Sequence, residues 1–197
     1  MKNKLTKLEF KWICYDMGNS AFILLVATIL PIYFNYLSSS QGVAEHNYLS
    51  YWSYAASLST LIVALAGPIL GTLADYKDHK KKIFLTTAML GALALACFWI
   101  PSSWFAFLVL FVAAKVAYSL SLIVYDSMLT DITTEDRMDA VSSKGYAWGY
   151  IGSVVPFIIS LVFVLMYDKM GMTLKTAMMI AFILNAAWWI AFTLPLA

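Results

Sequence analysis

Charge is scarce in this chain. Of its 197 residues only 12% are Asp, Glu, Lys or Arg, 62% are hydrophobic, and the mean hydropathy is +0.78. A soluble domain carries about a quarter charged residues, so this composition cannot wrap a polar surface around a core. The chain is expected to sit in a membrane. Cysteine is nearly absent too. Cys14 and Cys97 lie at opposite ends of separate apolar runs, which excludes a disulfide scaffold and suits packing. His46 and His79 stand alone, with no Cys or Asp at ligand spacing, so no metal is expected. No P-loop, HExxH or nucleophile elbow occurs. That leaves no machinery for ATP-driven work or hydrolysis, so the chain reads as a non-enzyme without cofactors. A net charge of +2 is too small to argue for nucleic acid.

What is present is a series of apolar stretches. A membrane-spanning helix needs about 20 such residues, and six stretches qualify: Trp12–Leu37, Leu49–Ala74, Ile83–Ile100, Ser103–Leu129, Val141–Tyr167 and Leu174–Leu194. Polar breaks separate them, and Pro101-Ser102-Ser103 forms a minimal turn. Thr6 followed by Glu9 has capping-box spacing for the first helix. The first run is too long for a signal peptide and lacks a small-residue cleavage site, so it should remain as a span. Residues 1–197 read as a single six-helix transmembrane bundle.

Lysine and arginine orient that bundle. Ten of the 13 fall on one side: Lys2, Lys4, Lys7, Lys11, Lys77, Lys80, Lys81, Lys82, Arg137 and Lys144. The other side has Lys169 and Lys175, and Lys115 lies inside a span. The positive-inside rule then places both termini in the cytoplasm. Tyr48, Tyr51, Trp52, Trp99 and Trp104 would mark the outer interface, and Trp12, Tyr76, Tyr146 and Trp148 the inner one.

Ionisable groups within a span are costly and normally face a cavity or a partner. Asp16, Lys115 and Asp126 are the candidates. Lys115 and Asp126 are eleven residues apart, hence on one helical face but about 16 Å apart along the axis. Tyr118, Ser119 and Leu122 share that face. The reading is a wet central cavity with Lys115 near mid-membrane, attracting an anion or a mobile carboxylate. The alternative is that Lys115 snorkels or bonds a neighbouring helix. Asp16, Asn19 and Ser20 sit one turn apart on the first helix, suited to a gate or a coupling proton, or simply to interhelical hydrogen bonds. Gly145, Gly149 and Gly152 suit close helix packing, and Pro31, Pro68 and Pro156 could kink their spans.

Between the second and third stretches stands a polar island, Gly71-Thr72-Leu73-Ala74-Asp75-Tyr76-Lys77-Asp78-His79-Lys80-Lys81-Lys82. A carboxylate at a helix end beside a basic turn suits a conformational switch; membrane anchoring by the lysines is the plainer role. The island resembles the loop between helices two and three of major facilitator superfamily transporters, with Asp78 and His79 where that family has Gly and Arg. Further blocks agree: Tyr15 to Phe22, Pro31-Ile32-Tyr33-Phe34, Gly67 to Tyr76, Tyr125 to Ile132, and Val141 to Gly152. Together they resemble the UMF1 branch, related to vacuolar amino-acid effluxers.

The resemblance implies an all-α fold, the N-terminal six-helix bundle of a 12-helix transporter built from 3+3 inverted repeats, although no sequence repeat is visible. It implies secondary transport by alternating access of a small polar solute, possible as amino-acid efflux or exchange. Substrate or coupling roles would fall to Asp16, Asn19, Lys115 and Asp126, and gating to Gly71, Asp75, Lys80 and Lys81. The expected partners are the lipid bilayer, the solute, and a second six-helix half, either a missing C-terminal half or a second copy. The expected location is a bacterial cytoplasmic membrane. Two other readings stay open: a helical scaffold or receptor, and a lipid-handling membrane protein.

Overall fold

The computed structural model describes residues 4–76 and 79–197. Lys2, Lys77 and Asp78 lie outside them. Among the described residues there are helices and turns but no strand. In order they are α1 (Lys7–Ala27), α2 (Ile29–Ser40), α3 (Glu45–Ala74), α4 (His79–Ala96), α5 (Trp104–Ser127), the single turn α6 (Leu129–Ile132), α7 (Glu135–Met166) and α8 (Leu174–Thr193), closed by a 3-10 turn at Leu194–Leu196.

These make six spans, with α1 and α2 forming the first. Five of the six are long and apolar enough by composition to cross a membrane. The remaining one, α4, has 18 residues, about 27 Å at the usual rise, and Lys80, Lys81 and Lys82 occupy its first turn. It stops at Ala96, short of the expected Ile100, because Cys97 begins a turn ahead of Pro101.

Local chemistry sets the other ends. The Thr6–Glu9 capping box forms in full: Glu9 N donates to Thr6 Oγ1 at 3.1 Å and Thr6 N to Glu9 Oε2 at 2.7 Å. Ser103 and Thr173 cap α5 and α8 through Ala106 N and Thr176 N. The first span is interrupted at Thr28 (φ −131°, ψ −65°). Pro31, three residues on, has no N–H to offer the preceding turn, so the helical ladder breaks there. Pro68 and Pro156 remain inside continuous helices. Gly42 (φ +73°) and Gly171 (φ +68°) make the left-handed turns after the first span and before the last.

The packing has an internal symmetry. The first span packs on the fifth as the second packs on the fourth; the third meets the fourth as the sixth meets the first. The fifth lies on the sixth as the second lies on the third, and the third also touches the sixth. Exchanging spans one, two and three for four, five and six maps this set onto itself. Spans one and four run in opposite directions, so this is the 3+3 inverted arrangement. The fold is that of a major-facilitator half-bundle.

Burial is uneven. In their most apolar stretches 44% of α5 and of α8 is buried but only 11% of α3, so α3 is the least covered of these three helices. The first span and α7 approach unusually closely. A Cβ on Gly145 would lie 2.8 Å from Trp12 Cζ3, one on Gly149 2.9 Å from Ser20 Oγ, and one on Gly152 2.9 Å from Met17 Cβ. Lipid tails are as apolar as side chains, so tight small-residue packing of this kind holds helices together where hydrophobicity cannot. Cys14 and Cys97 are both free.

Candidate functional site

Close packing of α1 on α7, with α5 alongside, leaves a cavity of about 370 Å³. Each wall is one helical stripe. From α1 come Trp12, Asp16, Asn19, Ser20, Ile23 and Leu24; from α5, Tyr118, Leu122, Tyr125 and Asp126; from α7, Ser142, Tyr146, Tyr150 and Ser153, with Leu129 of α6 beneath. Intervals of three and four residues keep each set on one face. Tyr146 and Tyr150 are 65% and 71% exposed, so the cavity is unroofed on that side.

Trp12 and Tyr125 fix α1 to α5. Their rings stack at 4.3 Å and 9°. Trp12 Nε1 donates to Tyr125 O at 3.1 Å, and the Tyr125 hydroxyl donates to Trp12 O at 3.2 Å. One turn on, the Tyr15 hydroxyl meets Ser121 Oγ at 2.6 Å. Asn19 is buried and donates to Tyr15 O at 3.1 Å and weakly to Asp16 Oδ1 at 3.4 Å. That weak bond is the only hydrogen bond Asp16's carboxylate makes among the described residues, and Asp126's makes none. Among the described residues the cavity lining contains no Lys, Arg or His.

The structure therefore brings Asp16, Asn19 and Asp126 together. Lys115 is not in the lining. Its ammonium sits 5.8 Å from the centroid of the Phe111 ring, one turn away on α5, a cation–π distance. Lys115 and Asp126 are thus on one helix about 16 Å apart, with only Asp126 in the cavity lining. Sequence reasoning passed over the third wall. Tyr146 was expected at the membrane interface, and the signal that could have found it is the four-residue spacing of Ser142, Tyr146 and Tyr150.

The lysine-rich end of the bundle is built differently. Glu9, 1% exposed, accepts at Oε1 from Arg137 Nε (2.8 Å) and Thr133 Oγ1 (2.7 Å), and at Oε2 from Arg137 Nη2 (2.7 Å) and Thr6 N (2.7 Å). Arg137 Nη2 also reaches Lys4 O at 3.0 Å. A bidentate Arg–carboxylate pair with every oxygen occupied ties the start of α1 to the start of α7. Lys80 pairs with Asp131 of α6 at 2.6 Å, and its Nζ lies 3.4 Å from Ser127 O. Asp75, expected beside Lys80 and Lys81, is instead an exposed C-cap of α3 without an ion-pair partner among the described residues. Lys81 is exposed, and a Cβ on Gly71 would meet open space.

Six spans in a 3+3 array with a polar, one-sided cavity define a polytopic membrane bundle of the major-facilitator type. The chain belongs to the family described as vacuole effluxer Atg22-like, whose sequence model matches residues 6–197. It is also 37% identical over 202 residues to "Uncharacterized MFS-type transporter YxiO" of Bacillus subtilis (strain 168), with 100% of this chain and 47% of that relative covered. The chain spans about half the length of the curated relative it matches. No solved structure matches it.

Proposed function

We propose that this bundle is the N-terminal half of a secondary transporter that moves a small polar solute by alternating access. A second six-helix half, from a longer chain or another copy, would roof the cavity at Tyr146 and Tyr150. The observation that carries the reading is a polar cavity with two carboxylates lacking basic partners inside membrane-length helices. A carboxylate placed within the bilayer costs free energy unless it meets a partner or lines a pathway. A scaffold would gain nothing from them, and leucine would serve it better.

The lysine-rich end is assigned to the cytoplasm, with both termini, by the positive-inside rule. The Lys80–Asp131 and Glu9–Arg137 pairs hold that end of the half-bundle together, so that it moves as one body. Asp75 and Lys81, exposed near the α3–α4 connection, are left for contacts that form and break with the second half, and Gly71 offers room for its approach. In counterflow with radiolabelled amino acids in proteoliposomes, Asp16→Asn is expected to abolish exchange. Exchange unchanged in Asp16→Asn and in Asp126→Asn would remove the site, and no flux of any polar solute would remove the transport reading.

A further inference from the structure

Resting on that transport reading, we infer that the cavity selects a positively charged ammonium group, held between Asp16 and Asp126 against an aromatic wall. Four observations carry this. Among the described residues the only full charges in the lining are negative: Asp16 and Asp126 face the space, and no Lys, Arg or His does. The one cation in the middle of a span, Lys115, lies outside the lining against Phe111, so it cannot neutralise the carboxylates or receive an anion there. Trp12 and Tyr125, 3% and 2% exposed, spend their N–H and hydroxyl on each other's backbone carbonyls, so neither offers a donor that could receive an anion. The aromatic wall open to a ligand is that of Tyr146 and Tyr150 at the exposed side.

Each feature points to the same ligand chemistry. Ionised carboxylates accept hydrogen bonds and cannot donate them, so the ligand must bring N–H donors. Aromatic faces attract cations, and more strongly once a covering half excludes water from them. An anion would meet two like charges in a medium that screens them poorly. A cavity of about 370 Å³ lies within the usual range of about 300–1,000 Å³ for small-molecule sites. The solute is therefore a small amine, and any carboxylate it carries must be received by the second half.

Three matched probes test this on the purified full-length protein in nanodiscs: n-butylamine, 4-aminobutyrate and butyrate, with Trp fluorescence and thermal shift as readouts. Butylamine and aminobutyrate are expected to bind and butyrate not to. Asp126→Asn and Asp16→Asn should each weaken amine binding at least tenfold, with Asp126→Glu restoring most of it. Should the Asn variants misfold, Tyr150→Ala, at an exposed position, is expected to weaken amine binding several-fold in a folded protein. Butyrate binding as well as butylamine, or amine binding indifferent to both carboxylates and to Tyr150, overturns the inference. So does the absence of amine binding when Asp→Asn variants alter only the pH dependence of flux, since the carboxylates would then serve a proton. Carboxylate-dependent amine binding without flux in proteoliposomes would uphold the site and refute transport.

Discussion

Glu9 and Asp16 lie on the same helix, seven residues and about 10 Å apart, yet their surroundings are opposite. Glu9 is sealed from solvent with both oxygens filled by Arg137, Thr133 and Thr6. Asp16 borders a cavity with one long hydrogen bond from Asn19. Asp126, opposite, has none among the described residues. A carboxylate whose every lone pair is met is fastening two helices; one left unmet inside a bilayer waits for something that is not part of the bundle. The lysine-rich end is thus a clasp, and the cavity above it is the part proposed to do the work.

That contrast can be broken from the clasp side first. Arg137→Ala strands a buried carboxylate, which is more damaging than losing the pair outright. It should lower the melting temperature of the purified protein by roughly 5–10 °C, and Glu9→Gln added to it should recover part of the loss. If both variants melt like the parent, the clasp is ornamental.

Next in size is the α1–α7 seam that shapes the cavity. Gly149→Val drives side-chain atoms into Ser20 and Asp16, where even a Cβ is 2.9 Å from Ser20 Oγ. A cost of about 1–3 kcal/mol is expected from overpacking, with Gly149→Ala milder, both read by thermal unfolding. Equal stability of all three would mean that the helices have room to part.

Lys80→Ala should matter less. Its side chain is 23% exposed and that of Asp131 57%, and pairs this wet contribute at most about 1 kcal/mol. A loss much larger than this in chemical denaturation would promote Lys80 to the rank of Arg137. Smallest of all in its effect on the site is Lys115→Leu, which lies outside the cavity lining and is expected to leave amine binding intact. A loss of binding there would return Lys115 to the cavity.

Much of the fold was legible because apolar length and polar breaks are local properties. The six spans end within a few residues of where composition puts them, except that α7 starts at Glu135, well before Val141, because its polar first turns contact the start of α1 rather than lipid. The break at Thr28 was less legible, since a proline can kink a helix or pass unnoticed, and Pro68 and Pro156 do not interrupt theirs. In the site, helical spacing grouped Asp16, Asn19 and Ser20 correctly on one face. The same rule put Lys115 in line with Asp126 about 16 Å along the axis, but spacing on one helix does not say where a cavity ends, and this one reaches along α5 only from Tyr118 to Asp126. Proximity in sequence suggested Asp75 as the mate of Lys80, whereas the bundle delivers Asp131 from another helix. Glu9 could be read as a capping residue. That it also receives Arg137, 128 residues away, depends on which helices meet and is invisible in any local pattern.

The most direct test of the account measures solute counterflow in proteoliposomes for the Asp16→Asn/Asp126→Asn double variant, alongside its melting temperature. Because the one internal hydrogen bond at stake among the described residues is the long Asn19–Asp16 contact of 3.4 Å, the expected result is a flux reduced at least tenfold with a melting temperature unchanged or raised. Full flux, or a collapse in stability that mirrors Arg137→Ala, would contradict the division between clasp and cavity.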